Sequence, residues 1–339
     1  MSETEHEADQ ALVSEESQSA TLDAATPEIP EMIPDDTSGS LTTILAIFAS
    51  VFLLAGGSAL QTTAVTLRAG IEGFSSQTIG LISSSFYGGI LAGSMLAPIA
   101  IRDVGYVRTF AAFASLASAT SLAHVLVISP YWWVVFRLVH GMCLAMVLVV
   151  VESWLNSSAP NRSRGRILSL YGLVFLASTG VAQPLLAIFT PEEFSLFCIT
   201  SIFISICVLP IGLGKVHGNP QIATVKIRLV GMLRKSPLGV TGVIISGMVI
   251  EAHMTLTPRY AQSIGMSAAS IGFLLFMVSV GTIVLQLPLG WLSDHRDRRF
   301  ALVIGSGVGA AAAIGFYISG GSSHFLLLMG FLLGGFMMP

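Results

Sequence analysis

Arg137 and His140 stand three residues apart inside a long apolar run, 131–155. An ionised Arg at the centre of such a run costs about 2.5–3.5 kcal/mol on insertion scales, so it should face a cavity or a partner. Arg137 lies roughly 9 Å into the run. Its guanidinium suits an anionic group or an answer to proton movement, with His140 on the same helical face. The competing reading lets Arg137 snorkel to the interface or cap backbone carbonyls. Glu251 and His253 form a second pair, in the run 237–257. A lone carboxyl there suits a site that takes up and releases a proton. Two residues turn a helix by about 200°, so both cannot face one cavity squarely. The alternative is exposure in a wet vestibule near Pro258. Gln61, Gln183 and Gln286 are amides in other runs, able to hydrogen-bond a ligand or to join helices.

A second group of polar residues sits at the run ends. Glu152 is fifteen residues beyond Arg137, roughly 22 Å along a helix, so the two cannot pair. It stands beside Arg162, Arg164 and Arg166, and an ion pair there would lock a gate. The plainer reading is a lone charge at the wet interface. Gly290, Asp294, Arg298 and Arg299 end another run. Their carboxylate and guanidinium groups can hold neighbouring helices in one of two states, or simply form a solvated basic loop.

The elements that must position these residues are membrane helices. The 339 residues are 53% hydrophobic and only 10% charged, against about 25% charged in a soluble domain. That excludes an ordinary soluble enzyme, a disulfide scaffold and a nucleic-acid-binding domain. Ten apolar runs are expected to span, at 42–67, 79–101, 107–128, 131–155, 167–189, 194–214, 237–257, 268–292, 300–319 and 324–339. The last ends at Pro339 still apolar, so a longer protein is expected. Residues 1–40 carry eleven acids and no Lys or Arg, which reads as a disordered tail. Cys143, Cys198 and Cys207 lie within apolar runs as small core residues. Tyr131, Trp132, Trp133, Trp154 and Trp291 fall near run ends, as a headgroup belt would, and His124 reads as interfacial. No phosphate-binding loop, metal spacing or nucleophile elbow occurs, so no cofactor is expected.

With the N-terminus in the cytoplasm, thirteen basic residues fall in inner loops and only Arg68 and Arg259 outside. That asymmetry fixes the expected orientation. Six runs precede a basic connector at 215–236, giving a 41–214 bundle and a partial 237–339 bundle. Gly93, Arg102, Asp103, Gly105 and Arg108 after run two echo Gly290, Asp294, Arg298 and Arg299 after run eight, as an internal duplication would. Gly89-x-x-x-Gly93 and Gly330-x-x-x-Gly334 give runs two and ten small faces for close approach. Gly172, Gly180 and Pro184 mark run five as able to bend.

Gly290-x-x-x-Asp294-x-x-x-Arg298-Arg299 resembles the loop motif of the major facilitator superfamily, with His295 and Asp297 replacing its usual first Arg and second Gly. Arg137-x-x-x-Gly141 is similar to that family's intramembrane Arg motif, and Gly172…Gly180-x-x-Gln183-Pro184 to its Gly-rich helix motif. Glu152-Ser-Trp-Leu-Asn156 with Arg164-Gly-Arg166, and Gly334-Gly-x-x-x-Pro339, resemble the YcaD-like branch. The resemblance implies an all-α membrane protein of two six-helix bundles, with the last two helices missing from this chain. It implies a secondary transporter in a bacterial inner membrane, moving a small solute with a coupling proton or ion by alternating access. No nucleic acid is expected as partner. A membrane-embedded lipid-modifying enzyme and a non-transporting sensor or scaffold are the alternatives.

Overall fold

The computed structural model describes residues 37–159, 162–213, 234, 236–296, 298–318 and 323–334. The acidic stretch 1–36, Asn161, the connector residues Lys215, Lys226, Arg228 and Lys235, Asp297 and the stretch closing at Pro339 lie outside them. Each of the ten apolar runs is a helix: α1 Thr37–Ile71, α2 Ser76–Val104, α3 Tyr106–Leu126, α4 Pro130–Ser158, α5 Arg164–Ala187, α6 Phe194–Leu213, α7 Pro237–Ser263, α8 Ala268–His295, α9 Arg298–Ile318 and α10 Ser323–Gly334. Among the described residues, α1 to α9 are long and apolar enough to cross a membrane, and α10 is shorter. Two helices change form on the way. The last turn of α5, Gln183–Ala187, tightens to a 3-10 helix beside Pro184, and α6 breaks at Cys207. Pro184 has no N–H to offer the ladder, so the α-helix ends at Val181.

The turns after α1 and α7 are built alike. Gly73 and Gly265 take positive φ (75° and 82°), which a side chain would oppose. Phe74 and Met266 then donate their N–H to Ala69 and Ala261, each at 3.0 Å. Ser75 and Ser267 cap the next helix, accepting from Thr78 at 3.2 Å and Ser270 at 3.3 Å. The likeness extends into the packing. Lipid tails are as apolar as Leu, so membrane helices associate through close packing rather than through the hydrophobic effect. Where α2 crosses α4, a methyl on Gly89 would strike the Leu138 carbonyl, and one on Gly141 the Phe86 carbonyl. Where α8 crosses α10, Gly281 faces the Phe331 carbonyl and Gly334 the Val278 carbonyl. In both crosses each glycine meets a carbonyl three residues before the opposing glycine.

Two buried apolar clusters fill the interior. One, around Trp154, Tyr106, Val150 and Ile211, draws all its buried residues from α1 to α6. The other, around Trp133, Leu60 and Leu196, also takes in Ala261 of α7, Ile271 and Leu274 of α8, and Leu326 of α10. It lies at the end carrying the α1–α2 turn, where Phe74 meets Trp133 edge-on at 5.2 Å. The interface belt needs correction. Tyr131, Trp132 and Trp291 are exposed, but Trp133 and Trp154 are fully buried. Trp133 donates to the Val127 carbonyl at 2.9 Å, and Trp154 stacks on Tyr106 at 5.7 Å. His124 is buried too, between Trp133 and Phe136. Depth along the membrane axis is legible in a sequence, but whether a residue points inward or outward is not.

Candidate functional site

A cavity of about 270 Å³ opens where α1, α2, α4 and α5 face α7 and α8. Phe86, Leu144, Phe175, Ile250, Met254 and Val278 give it apolar walls. At the α1–α2 turn end it is sealed. Gln262 of α7 donates to the Leu67 carbonyl at 3.0 Å, and Arg259 holds Gln262 at 2.7 Å. Gly180 of α5 abuts Ser279 of α8, and Gly272 abuts the Gln183 carbonyl. A side chain at Gly180 would push α5 from α8, so this glycine serves approach. Towards the opposite end Met248, Leu287 and Trp291 are 68%, 77% and 62% exposed.

Arg137 does not line the cavity. It is 1% exposed and sits behind the wall. Its guanidinium lies 4.2 Å from the centre of the Phe86 ring, and Nη1 donates to Thr62 Oγ1 at 3.3 Å. Phe86 and Thr62 both line the cavity, so the charge is felt through them. The desolvated ring face offers about 2 kcal/mol to such a cation. Behind the far wall Glu251 of α7 accepts from Thr255 at 2.8 Å and interacts with Tyr87 of α2 and with Arg137. Tyr87, a lining residue, thus stands between the cation on one helix set and the carboxylate on the other.

The remaining candidates separate from this group. His140 is buried, its Nδ1 3.2 Å from Thr120 Oγ1 and its ring against Phe86 at 6.0 Å. Gln61 is buried and accepts from Ser121 at 2.6 Å. Neither touches the cavity. Gln183 does line it, accepting from Thr63 at 3.0 Å and donating to the Thr179 carbonyl at 3.3 Å. Gln286 is exposed. His253 binds Thr257 of its own helix at 2.7 Å, away from the Glu251 contacts.

Glu152 is exposed and accepts from Tyr171 of α5 at 3.2 Å; among the described residues it is Tyr171, not Arg164 or Arg166, that holds it. Both arginines are exposed. Gly290 and Asp294 lie exposed near the end of α8, where His295 stacks on Trp291 at 4.6 Å. Arg298 and Arg299 open α9. Sequence reading missed the wall itself: Ser58, Thr62, Thr63, Tyr87 and Thr179. The available signal was hydroxyls recurring four apart in run one, at Ser58 and Thr62, and a tyrosine deep inside run two.

Comparison with known proteins fits this geometry. The family model "Major Facilitator Superfamily" matches residues 47–339. The uncharacterized MFS-type transporter YcaD of Escherichia coli O139:H28 is 32% identical over 263 residues, covering 76% of this chain and 68% of the relative. Its counterpart in Escherichia fergusonii is 30% identical over 261 residues, with the same coverage. Among solved structures, the nucleoside transporter NupG superposes with a TM-score of 0.66 at 15% identity, over 88% of this chain and 80% of that one. A bacterial homologue of the human lysosomal transporter Spinster, inward-facing and unoccupied, gives 0.65 at 14% identity, over 88% and 74%. At such identities the likeness is one of fold.

Proposed function

This chain belongs to the major facilitator superfamily, as a multi-pass membrane transporter rather than an enzyme, and from that premise we propose that it moves a small solute by alternating access, coupled to a proton or ion. The observation that carries this reading is the asymmetry around the cavity: one buried cluster joins α1–α6 to α7–α10 at the turn end, and the other stays within α1–α6. In this reading the two helix sets rock about the cavity, and the structure is the state closed at the turn end. In this reading that end faces outward and the N-terminus lies in the cytoplasm of a bacterial inner membrane, an orientation that the basic loops support.

Glu251 is the coupling group. Charged, it draws α7 towards Tyr87 and Arg137 on the other set; protonated, it releases them. Asp294, Arg298, Arg299, Glu152, Arg164 and Arg166 act at the inner rim in the opposite state, when the inner ends meet. Spin labels test the motion, one pair at Glu72 and Ser263 across the turn end and one at Arg166 and Asp294 across the other. Glu251→Gln, which fixes the neutral form, should lengthen the first distance and shorten the second. Distances that stay fixed, or change in the same sense, overturn alternating access.

A further inference from the structure

We propose, resting on the reading of the cavity as the transport site, that the solute is an uncharged, largely apolar molecule carrying hydrogen-bond donors, and that Ser58 donates to an oxygen or nitrogen on it. The argument is a count of hydrogens. Among the described residues six serine and threonine hydroxyls line the cavity: Ser58, Thr62, Thr63, Thr179, Ser279 and Thr282. A hydroxyl has one hydrogen to give and two lone pairs to offer. Thr62 gives its hydrogen to the Ser58 carbonyl at 2.9 Å, Thr179 to Leu176 at 2.8 Å, Ser279 to Leu275 at 3.3 Å and Thr282 to Val278 at 3.0 Å. Thr63 gives its own to Gln183 Oε1 at 3.0 Å or to the Ala59 carbonyl at 3.3 Å. Five of the six therefore meet a solute as acceptors.

Ser58 is different. It is 4% exposed, and its Oγ has no partner. A buried hydroxyl left unpaired is costly, and of the six only Ser58 still has its hydrogen to give, so a solute oxygen or nitrogen that accepts it gains in selectivity. Gln183 has its oxygen taken by Thr63 and one N–H spent on Thr179. The wall thus offers more acceptors than donors, and it reads O–H and N–H groups.

Charge points the same way. Among the described residues no Lys, Arg, Asp or Glu side chain lines the cavity. Arg137 is screened by Phe86 and Thr62, so an anion would be desolvated without a direct cationic partner. A cation would find Glu251 behind the wall, already engaged by Thr255 and Tyr87. The volume lies just below the 300–1,000 Å³ usual for drug-sized ligands, which suits a body of about two fused rings.

Three probes sharing one body separate the possibilities: 2-naphthol, its methyl ether and 2-naphthoate. Binding is measured by equilibrium dialysis to the chain in nanodiscs, with empty nanodiscs subtracted. Expected is saturable binding of 2-naphthol, about three- to tenfold weaker binding of the ether, and naphthoate weakest. Ser58→Ala should cost 2-naphthol and the ether a similar factor each, since both oxygens can accept its hydrogen. Naphthoate binding best, the ether binding as well as 2-naphthol, Ser58→Ala leaving both unchanged, or no saturable binding at all would overturn the proposal. Met254→Trp, which fills the cavity, tests the underlying site separately. Naphthol binding that survives it, in a variant that elutes as one species, places the solute elsewhere and sinks the transport-site reading instead.

Discussion

The α2–α4 cross and the α8–α10 cross are one backbone device used twice with different side chains. Gly89 and Gly141 meet carbonyls in the first as Gly281 and Gly334 do in the second. Counting from these glycines, Phe86 and Tyr87 correspond to Val278 and Ser279, and Arg137 corresponds to Gly330. Counting back from Gly73 and Gly265, Ser58 and Thr62 correspond to Ile250 and Met254. The first set thus carries the aromatic ring, the cation and the unpaired hydroxyl, where the second carries small or apolar groups. Glu251 reverses the pattern, standing where the first set has Ala59. The duplicated backbone sets where a wall can be. Divergence of the side chains decides which wall does the chemistry.

The largest expected effect would break the likeness itself. Gly141→Val and Gly334→Val each force a side chain into a backbone carbonyl, which has no rotamer to escape into. Each should lose about 3 kcal/mol in unfolding followed in detergent. Gly172→Ala and Gly247→Ala, which meet open space within helices, should leave stability unchanged or raise it by up to about 1 kcal/mol. Unequal losses at the two crosses would mean that the packing is not truly repeated.

A second variant sharpens the difference between the sets. If the second cross holds by packing alone, Arg137→Met combined with Glu251→Gln should keep stability to within about 1 kcal/mol, since neutral groups of similar volume often replace both members of a buried charge pair at no loss. Arg137→Met alone should abolish the response of the spin-label distances to Glu251→Gln. A large loss of stability with the response intact would make Arg137 a structural residue. The smallest effect belongs to the far wall. Glu251→Gln fixes the neutral form and Glu251→Asp keeps the charge, so Gln should lengthen the turn-end label distance and Asp should leave it unchanged. The sign follows from the carboxylate attracting Arg137 only when charged. Distances that Gln leaves at those of the unaltered chain would remove Glu251 from the coupling.

Much of the fold was legible because length and apolarity decide what spans a membrane, and all ten runs became helices. The two small faces were legible for the same reason: Gly89 and Gly93, like Gly330 and Gly334, recur at helical spacing. The wall was not. A run that is apolar all round carries no periodic signal for its inward face. Trp133, Trp154 and His124 therefore read as interfacial from their depth, although each is buried. The Glu152–Tyr171 contact was hidden because it joins two helices whose rotation no spacing reveals. Ser58 was hidden because an unpaired hydroxyl is a fact about its surroundings, not about its type.

The two apolar clusters also set an order of assembly. The cluster around Trp154 closes with residues of α1 to α6 alone, and the other needs α7, α8 and α10 as well. A chain is made from its N-terminus, and its units settle as they emerge. The first six helices can bury their own interior while the rest is still being synthesised. The later helices arrive at a finished surface, and α2 and α4 have already locked their glycine cross before α8 and α10 can form theirs.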